Sequence, residues 1–222
     1  MMRRIVVMVI GLLGVIPAAG MAGTLDLRAG AFFPKADSNL FLDDSELYTV
    51  DKSDWKGFTG GAEYSFSLGD NVELGFHVDG YGRTVNTSYR DFVTESGREI
   101  EQSLKLTIVP MGVSLRFVPI RGRRALTPYA TVGADLVFYS YEEFGDFVDF
   151  ETSDIFEDAF ISEGVAPGFH VAGGIRVPVG DDFRVTGEVR YQWAKADMGD
   201  DFRGNEIDMS GLSATVGLSL RF

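Results

Sequence analysis

The chain contains no cysteine. That absence excludes a disulfide scaffold, thiolate zinc sites, thiol catalysis and any lipid anchor on cysteine. Histidine is scarce, with two residues, His77 and His170. Basic residues are few: 20 Lys and Arg stand against 33 Asp and Glu, a net charge of −13. Binding phosphates needs a basic face, so a nucleic-acid partner is excluded. After residue 22 no stretch approaches the roughly 18 consecutive apolar residues of a membrane-spanning helix. There is no P-loop, no G-x-G-x-x-G and no G-x-S-x-G, which removes the common nucleotide-binding and hydrolase signatures.

The beginning reads as an address. Arg3 and Arg4 precede an apolar run from Ile5 to Ile16, and Pro17, Ala18, Ala19, Gly20 and Ala22 follow. This is the pattern of a secretory signal peptide over residues 1–22, cleaved after Gly20 or Ala22. Its loss removes two arginines and no acid, so residues 23–222 carry −15.

The remainder alternates. Apolar residues recur at every second position, the period of a strand, in eight rows. These are Leu25 to Phe33, Phe58 to Leu68, Val72 to Gly80, Leu104 to Phe117, Ala130 to Phe138, Phe169 to Val179, Phe183 to Trp193 and Leu212 to Phe222. The fourth row changes phase: Leu104, Leu106 and Ile108 share one parity, Val109 to Phe117 the other. If one face is apolar throughout, a bulge at Val109-Pro110 is required. Connectors alternate too. Gly69-Asp70-Asn71 and Gly180-Asp181-Asp182 are tight turns, and Pro119 to Thr127 is a modest basic turn with Arg121, Arg123 and Arg124. Four long connectors fall near 34–56, 82–102, 140–168 and 195–210. Short turns on one side and long loops on the other describe an eight-stranded antiparallel up-and-down transmembrane β-barrel, all-β, with both termini on the short-turn side.

Residue types say which face meets lipid. No apolar row carries a charge, as expected where a Lys or Arg costs roughly 2–4 kcal/mol at the midplane. The opposite rows are small and polar, such as Thr59, Gly61, Glu63, Ser65 and Ser67, which suits a narrow interior. Aromatics close the rows at both ends: Phe33, Phe58, Phe138, Phe169, Tyr191 and Trp193 toward the loops, Phe66, Phe117, Phe183 and Phe222 toward the turns.

On these features the chain resembles bacterial outer-membrane β-barrel proteins of the small eight-stranded OmpW/OmpA/OmpX type. The last strand, LSATVGLSLRF, ends in an aromatic, and PYATVGADL follows a short turn. The resemblance implies that Phe222 is the signal read by the barrel-insertion machinery. It also implies localisation in the outer membrane of a Gram-negative bacterium, a monomeric state, and lipid and lipopolysaccharide as surroundings. Its OmpW branch implies a hydrophobic lumen.

Parity, by contrast, assigns charges to the lumen. The acids are Asp26, Glu63, Glu73, Asp79, Asp135 and Glu188; the bases are Arg28, Lys105, Arg116, Arg176, Arg184, Arg190 and Arg221. The histidines point the same way. Such a set is expected to pair across the interior, because buried charges persist only when paired. The histidines lie far apart in strand order. Spacing supports no metal with Glu73 or Asp79, and no cofactor is expected. Lipid A deacylases of this shape carry His-x-Ser on a strand. Here His170 precedes Val171 and Ala172, so no enzyme is expected. The segment 141–164 holds nine acids, five phenylalanines and no base. It reads either as a solvated outer loop that keeps the outside soluble, or as a surface for divalent cations, for lipopolysaccharide through them, or for a partner protein. The expected function is therefore a structural or surface-interaction barrel with long acidic extracellular loops. A narrow channel or small-solute conduit is the alternative. A lipid A-modifying enzyme and a soluble periplasmic barrel come behind.

Overall fold

The computed structural model describes residues 23–94, 96–119, 126–149, 152, 154–199, 202 and 204–221. The expected signal peptide, the basic turn arginines Arg121, Arg123 and Arg124, and Phe222 lie outside the described residues. Among the described residues nine strands run β1 Gly23–Pro34, β2 Gly57–Ser67, β3 Val72–Val93, β4 Glu99–Phe117, β5 Thr127–Val148, β6 Ile155–Val179, β7 Phe183–Asp197, β8 Glu206–Asp208 and β9 Gly211–Arg221. A helix α1, Asn39–Leu47, and a 3-10 turn, Lys52–Trp55, lie between β1 and β2.

Neighbours in sequence pair antiparallel from β1 to β7, β9 bridges β7 and β1, and the β6–β7 pairing closes the ring. Eight strands therefore form a closed barrel, and β8 is a short addition on the β7 overhang. The expected fold class holds. The apolar rows face outward, with Leu27, Phe76, Val132, Val171, Val189 and Val216 all exposed. In water so much exposed apolar surface would be untenable; around a barrel it is the lipid-facing band. Phe169 stacks on Trp193 at the loop end, at 4.8 Å between ring centres. Phe66 meets Phe76 toward the turn end.

Two sequence expectations are corrected. First, β4 has no bulge at Val109-Pro110. Val78 faces Met111 and Tyr81 faces Ile108, three residues along each strand, and β5 pairs straight through the same segment. Leu104, Leu106 and Ile108 consequently point inward and are fully buried. Lys105 then faces out, above the aromatic band, where its ammonium lies 3.0 Å from Glu142. The phase change records a lumen that turns apolar, not a kinked strand.

Second, two of the four long connectors, 82–102 and 140–168, are mostly strand. β6 has 25 residues, more than twice the ~9–11 a tilted strand needs to cross a bilayer. The supposed acidic loop is a β5–β6 hairpin paired from Val148 opposite Ile155 downward. The β3–β4 turn closes at Gly97, whose φ of +78° suits glycine. The 35–56 connector folds inward, and Phe202, Ile207 and Met209 of the 198–210 connector join the same cluster. Leu40 and Phe41 of α1, Tyr48, Val50 and Trp55 are buried against Tyr81, Leu104, Leu106, Ile108, Tyr141 and Met209. Phe41 meets Trp55 edge-on at 5.4 Å, and the Tyr81 hydroxyl donates to the Trp55 carbonyl. Each such buried side chain stabilises by about 1.5–3 kcal/mol. The connector is thus a plug in the loop-side mouth.

Because the chain has no native cysteine, single cysteines report orientation cleanly. Lys105→Cys is expected to react fast with a water-soluble maleimide in the folded barrel. Leu106→Cys is expected to react only after unfolding. The reverse pattern would restore the bulge. Leu106→Ala should lower stability by about 2–5 kcal/mol in urea unfolding, the usual loss for an unfilled core cavity.

Candidate functional site

The lumen has three levels. At the turn end, Arg116 on β4 reaches Glu63 at 2.6 Å, Asp26 at 3.4 Å and Glu73 at 3.5 Å. Arg176 on β6 meets Glu73 at 2.9 Å and Asp26 at 3.3 Å. Ser219 donates to Asp26. Tyr129 lies under both guanidiniums, at 4.7 Å from Arg116 and 5.1 Å from Arg176, and donates its hydroxyl to Glu188. Nearly completely buried charges from β1, β2, β3, β4 and β6 are tied together here.

One level up, Arg28 on β1 forks onto Asp79, with Nε at 2.7 Å and Nη2 at 2.6 Å, and reaches Glu63 at 3.1 Å. Arg190 on β7 bridges Asp79 at 2.9 Å and Glu188 at 3.1 Å. Planar guanidiniums allow this two-pronged, shared pairing where an ammonium would not. Beside them His77, Asp135 and His170 meet: His77 Nε2 is 3.0 Å from Asp135 Oδ1, and His170 Nδ1 is 2.8 Å from Asp135 Oδ2. The histidines are far apart in strand order, as the sequence indicates, yet they meet. β3 and β6 are separated by two strands, but the barrel is narrow enough for their side chains to meet. Their third partner is Asp135, not Glu73 or Asp79.

Of the residues assigned inward by parity, Asp26, Arg28, Glu63, Glu73, His77, Asp79, Arg116, Asp135, His170, Arg176, Glu188 and Arg190 converge. Arg184 sits half-buried and Arg221 exposed, both at the turn-end rim. Lys105 is outside. Without Lys105 and the two rim arginines, the converging set holds six acids against Arg28, Arg116, Arg176 and Arg190, with the two histidines beside them. Tyr129, Thr131, Ser114 and Ser219 also belong to this interior. Their signal in sequence is only that they share its parity.

The third level is the plug. Between it and the charges lies a cavity of about 30 Å³, lined by Arg28, Asp79, Tyr81, Ile108, Pro110 and Arg190 among others. That is room for about two waters. Above the aromatic band, Asp44 of α1 accepts a hydrogen bond from the Tyr141 hydroxyl at 2.6 Å. Glu143 shares the same buried environment. Burial pushes Glu143 up to about 7. Burial, and then the charge of Glu143, raises Asp44 well above the usual carboxylate range.

A closed, apolar-skinned, eight-stranded barrel with a packed polar interior is a transmembrane β-barrel. The chain belongs to the outer membrane protein beta-barrel domain family, which it matches over residues 5–222. Among solved structures it is similar to neisserial surface protein A, NspA (16% identity, 90% of this chain and 97% of that chain, TM-score 0.52). It is also similar to a major outer membrane protein of Thermus thermophilus (9% identity, 90% and 98%, TM-score 0.54). A third, outer membrane protein W of E. coli, is 14% identical over 91% and 99%, at TM-score 0.42. At these identities the likeness is one of fold. No curated protein sequence matches the chain.

Two outcomes follow from this geometry. Glu63→Gln leaves Arg28 and Arg116 short of a buried counter-charge and should cost about 3–5 kcal/mol in urea unfolding; a loss under a tenth of that would mean the network is solvated. The raised carboxyls set a pH dependence. A carboxyl raised in the folded state stabilises fully below its unfolded value of about 4, and that contribution fades as pH climbs. The plug is therefore tightest in acid and loosens as pH passes about 7. With Trp193→Phe leaving Trp55 as the remaining tryptophan, emission should shift red between pH 5 and 8. Glu143→Gln should remove most of that shift.

Proposed function

We propose that this protein is a closed, non-enzymatic outer-membrane barrel. Its work is to hold a rigid scaffold in the membrane and present the β5–β6 hairpin at the surface. The observation that carries this reading is the filled interior: paired charges occupy the turn-end half and an apolar plug the loop-side half. That filling favours a scaffold over a conduit. Catalysis finds no support, since both histidines are held against Asp135 and, among the described hydrogen bonds, neither meets a hydroxyl.

The hairpin is the outstanding outer feature. β6 pairs with β7 only from Gly168 onward, so Ile155 to Pro167 stands beyond the ring with β5 as its strand partner. Phe144, Ile155, Phe156 and Ile161 are exposed there, amid Glu157, Asp158 and Glu163. Acidic groups beside exposed aromatics suit a divalent cation, lipopolysaccharide phosphates bridged by one, or a cationic protein surface. Export by the 1–22 segment and residence in the outer membrane of a Gram-negative cell belong to the same reading.

The hairpin can be cut in register, since Gly145 faces Asp158. Replacing 145–158 by a two-residue turn should leave heat-modifiable migration of the barrel intact. It should abolish Ca²⁺-dependent binding of lipopolysaccharide to proteoliposomes carrying the protein. Equal binding by the shortened and full forms would remove the hairpin from the account.

A further inference from the structure

The cluster of His77, Asp135 and His170 is not explained by the ion-pair network around it. Its side chains are 0%, 1% and 0% exposed. Yet among the described residues neither ring nitrogen of His77, nor His170 Nε2, nor Asp135 Oδ1 has a hydrogen bond. His77 Nε2 lies 3.0 Å from Asp135 Oδ1 but is not aligned for one. A buried polar atom left without a partner is costly, because the loss of its hydration goes uncompensated. His77 Nε2 and Asp135 Oδ1 at least face one another, so it is His77 Nδ1 and His170 Nε2 above all that call for an occupant.

Space for that occupant is built into the register. His77 on β3 faces Gly112 on β4, and Gly112 faces Asp135 on β5. His170 on β6 faces Gly133. The positions that separate the three donors are therefore both glycine. A Cβ at Gly112 would stand 2.5 Å from Asp135 Oδ1, and one at Gly133 2.3 Å from His170 Cε1. Any side chain at either place would break the cluster. The two rings stand edge to face, 4.9 Å apart and at 89°, so that both are turned on the carboxylate. One donor atom from each residue falls within 4.8 Å of the other two. Ligands around a tetrahedral ion at ~2.0 Å stand about 3.3 Å apart, a spacing that falls within the 4.8 Å span of these donors.

We infer that His77, Asp135 and His170 bind one divalent transition-metal cation of the Zn²⁺ class. Two imidazoles and a carboxylate, with no thiolate, suit Zn²⁺, Co²⁺ or Ni²⁺ and suit Mg²⁺ or Ca²⁺ poorly. The ion adds a bond across the lumen between β3, β5 and β6, beyond the His77–Asp135 and His170–Asp135 contacts already there. A water completes the coordination. The one remaining positive charge faces Glu63, which stands opposite His77 on β2. Because the lumen is closed at both levels above and below, the ion is loaded as the barrel closes and is released only on unfolding.

The full chain is unfolded in urea with a chelator, the chelator is removed, and the chain is refolded in detergent with Co²⁺ alone. One equivalent of Co²⁺ per folded chain is expected, with the visible d–d absorption of nitrogen and oxygen ligands, displaced when Zn²⁺ is present during refolding. His77→Asn, His170→Asn and Asp135→Asn should each weaken binding by more than about 100-fold, since even outer-shell partners of a metal are worth 10–100-fold. A folded wild-type barrel without the band overturns the inference. So does a band that survives in the doubly substituted His77→Asn/His170→Asn chain, which would place the ion on the acidic outer surface. If the variants do not fold, the wild type decides alone: a melting temperature unchanged between metal-free and Zn²⁺-refolded protein contradicts the site.

Discussion

Every backbone amide and carbonyl that crosses a bilayer must find its partner within the protein, because hydrocarbon offers none. Here that demand is met by closing eight strands on themselves through the β6–β7 and β1–β9 ladders. Closure with so few strands leaves an interior only one layer of side chains wide. Everything else follows from that width. Inward positions must be small, or long and paired, and each arginine that enters must bring carboxylates with it. Arg28 and Arg116 share Glu63, while Arg116 and Arg176 share Asp26 and Glu73. None of these three arginines rests on one acid alone. Removing any member leaves a neighbour desolvated, which is why such a network fixes the strands relative to one another so firmly.

The change from charge to hydrocarbon halfway up the lumen has a local cause. At the level of Ile108 and Tyr81 the inward row of β4 becomes Leu104, Leu106 and Ile108, packed in an apolar cluster. Exposed to water, those residues would be a liability; covered by Leu40, Phe41 and Trp55 they form a second core. The connector's own bonds position it: Asn39 holds the 204–206 segment, and Tyr48 bridges to Tyr89 on β3. The Asp44–Tyr141 contact with Glu143 beside it makes this lid acid-tightened. The scaffold below it is sealed instead by guanidinium–carboxylate pairs.

The alternation that lipid imposes is strict, so the outer rows and most inward charges could be read from parity alone. Asp26, Arg28, Glu63 and Glu188 are legible because each sits between two lipid-facing residues. Pairing partners were not legible, since Arg176 and Asp26 are 150 residues apart and meet only through register across the lumen. The misreading of β4 came from assuming that every apolar row faces lipid. Leu104, Leu106 and Ile108 face a plug whose helix, NLFLDDSEL, carries no strong pattern of its own. Strand ends were likewise misplaced, because Tyr141 to Val148 and Ile155 to Glu163 keep pairing in water, past the point where lipid enforces purity. The histidine cluster had one quiet signal, glycines at Gly112 and Gly133 in an inward row, and it takes the register to make sense of them.

The central claim is that this barrel is sealed by two different kinds of packing, stacked in one lumen. Planar-bilayer conductance of the folded protein tests it most directly. The account predicts silence at neutral pH, with current appearing only when both the 35–56 plug and a lower ion pair such as Arg28–Asp79 are disrupted. A steady ohmic conductance from the unaltered, heat-modifiable barrel would contradict it.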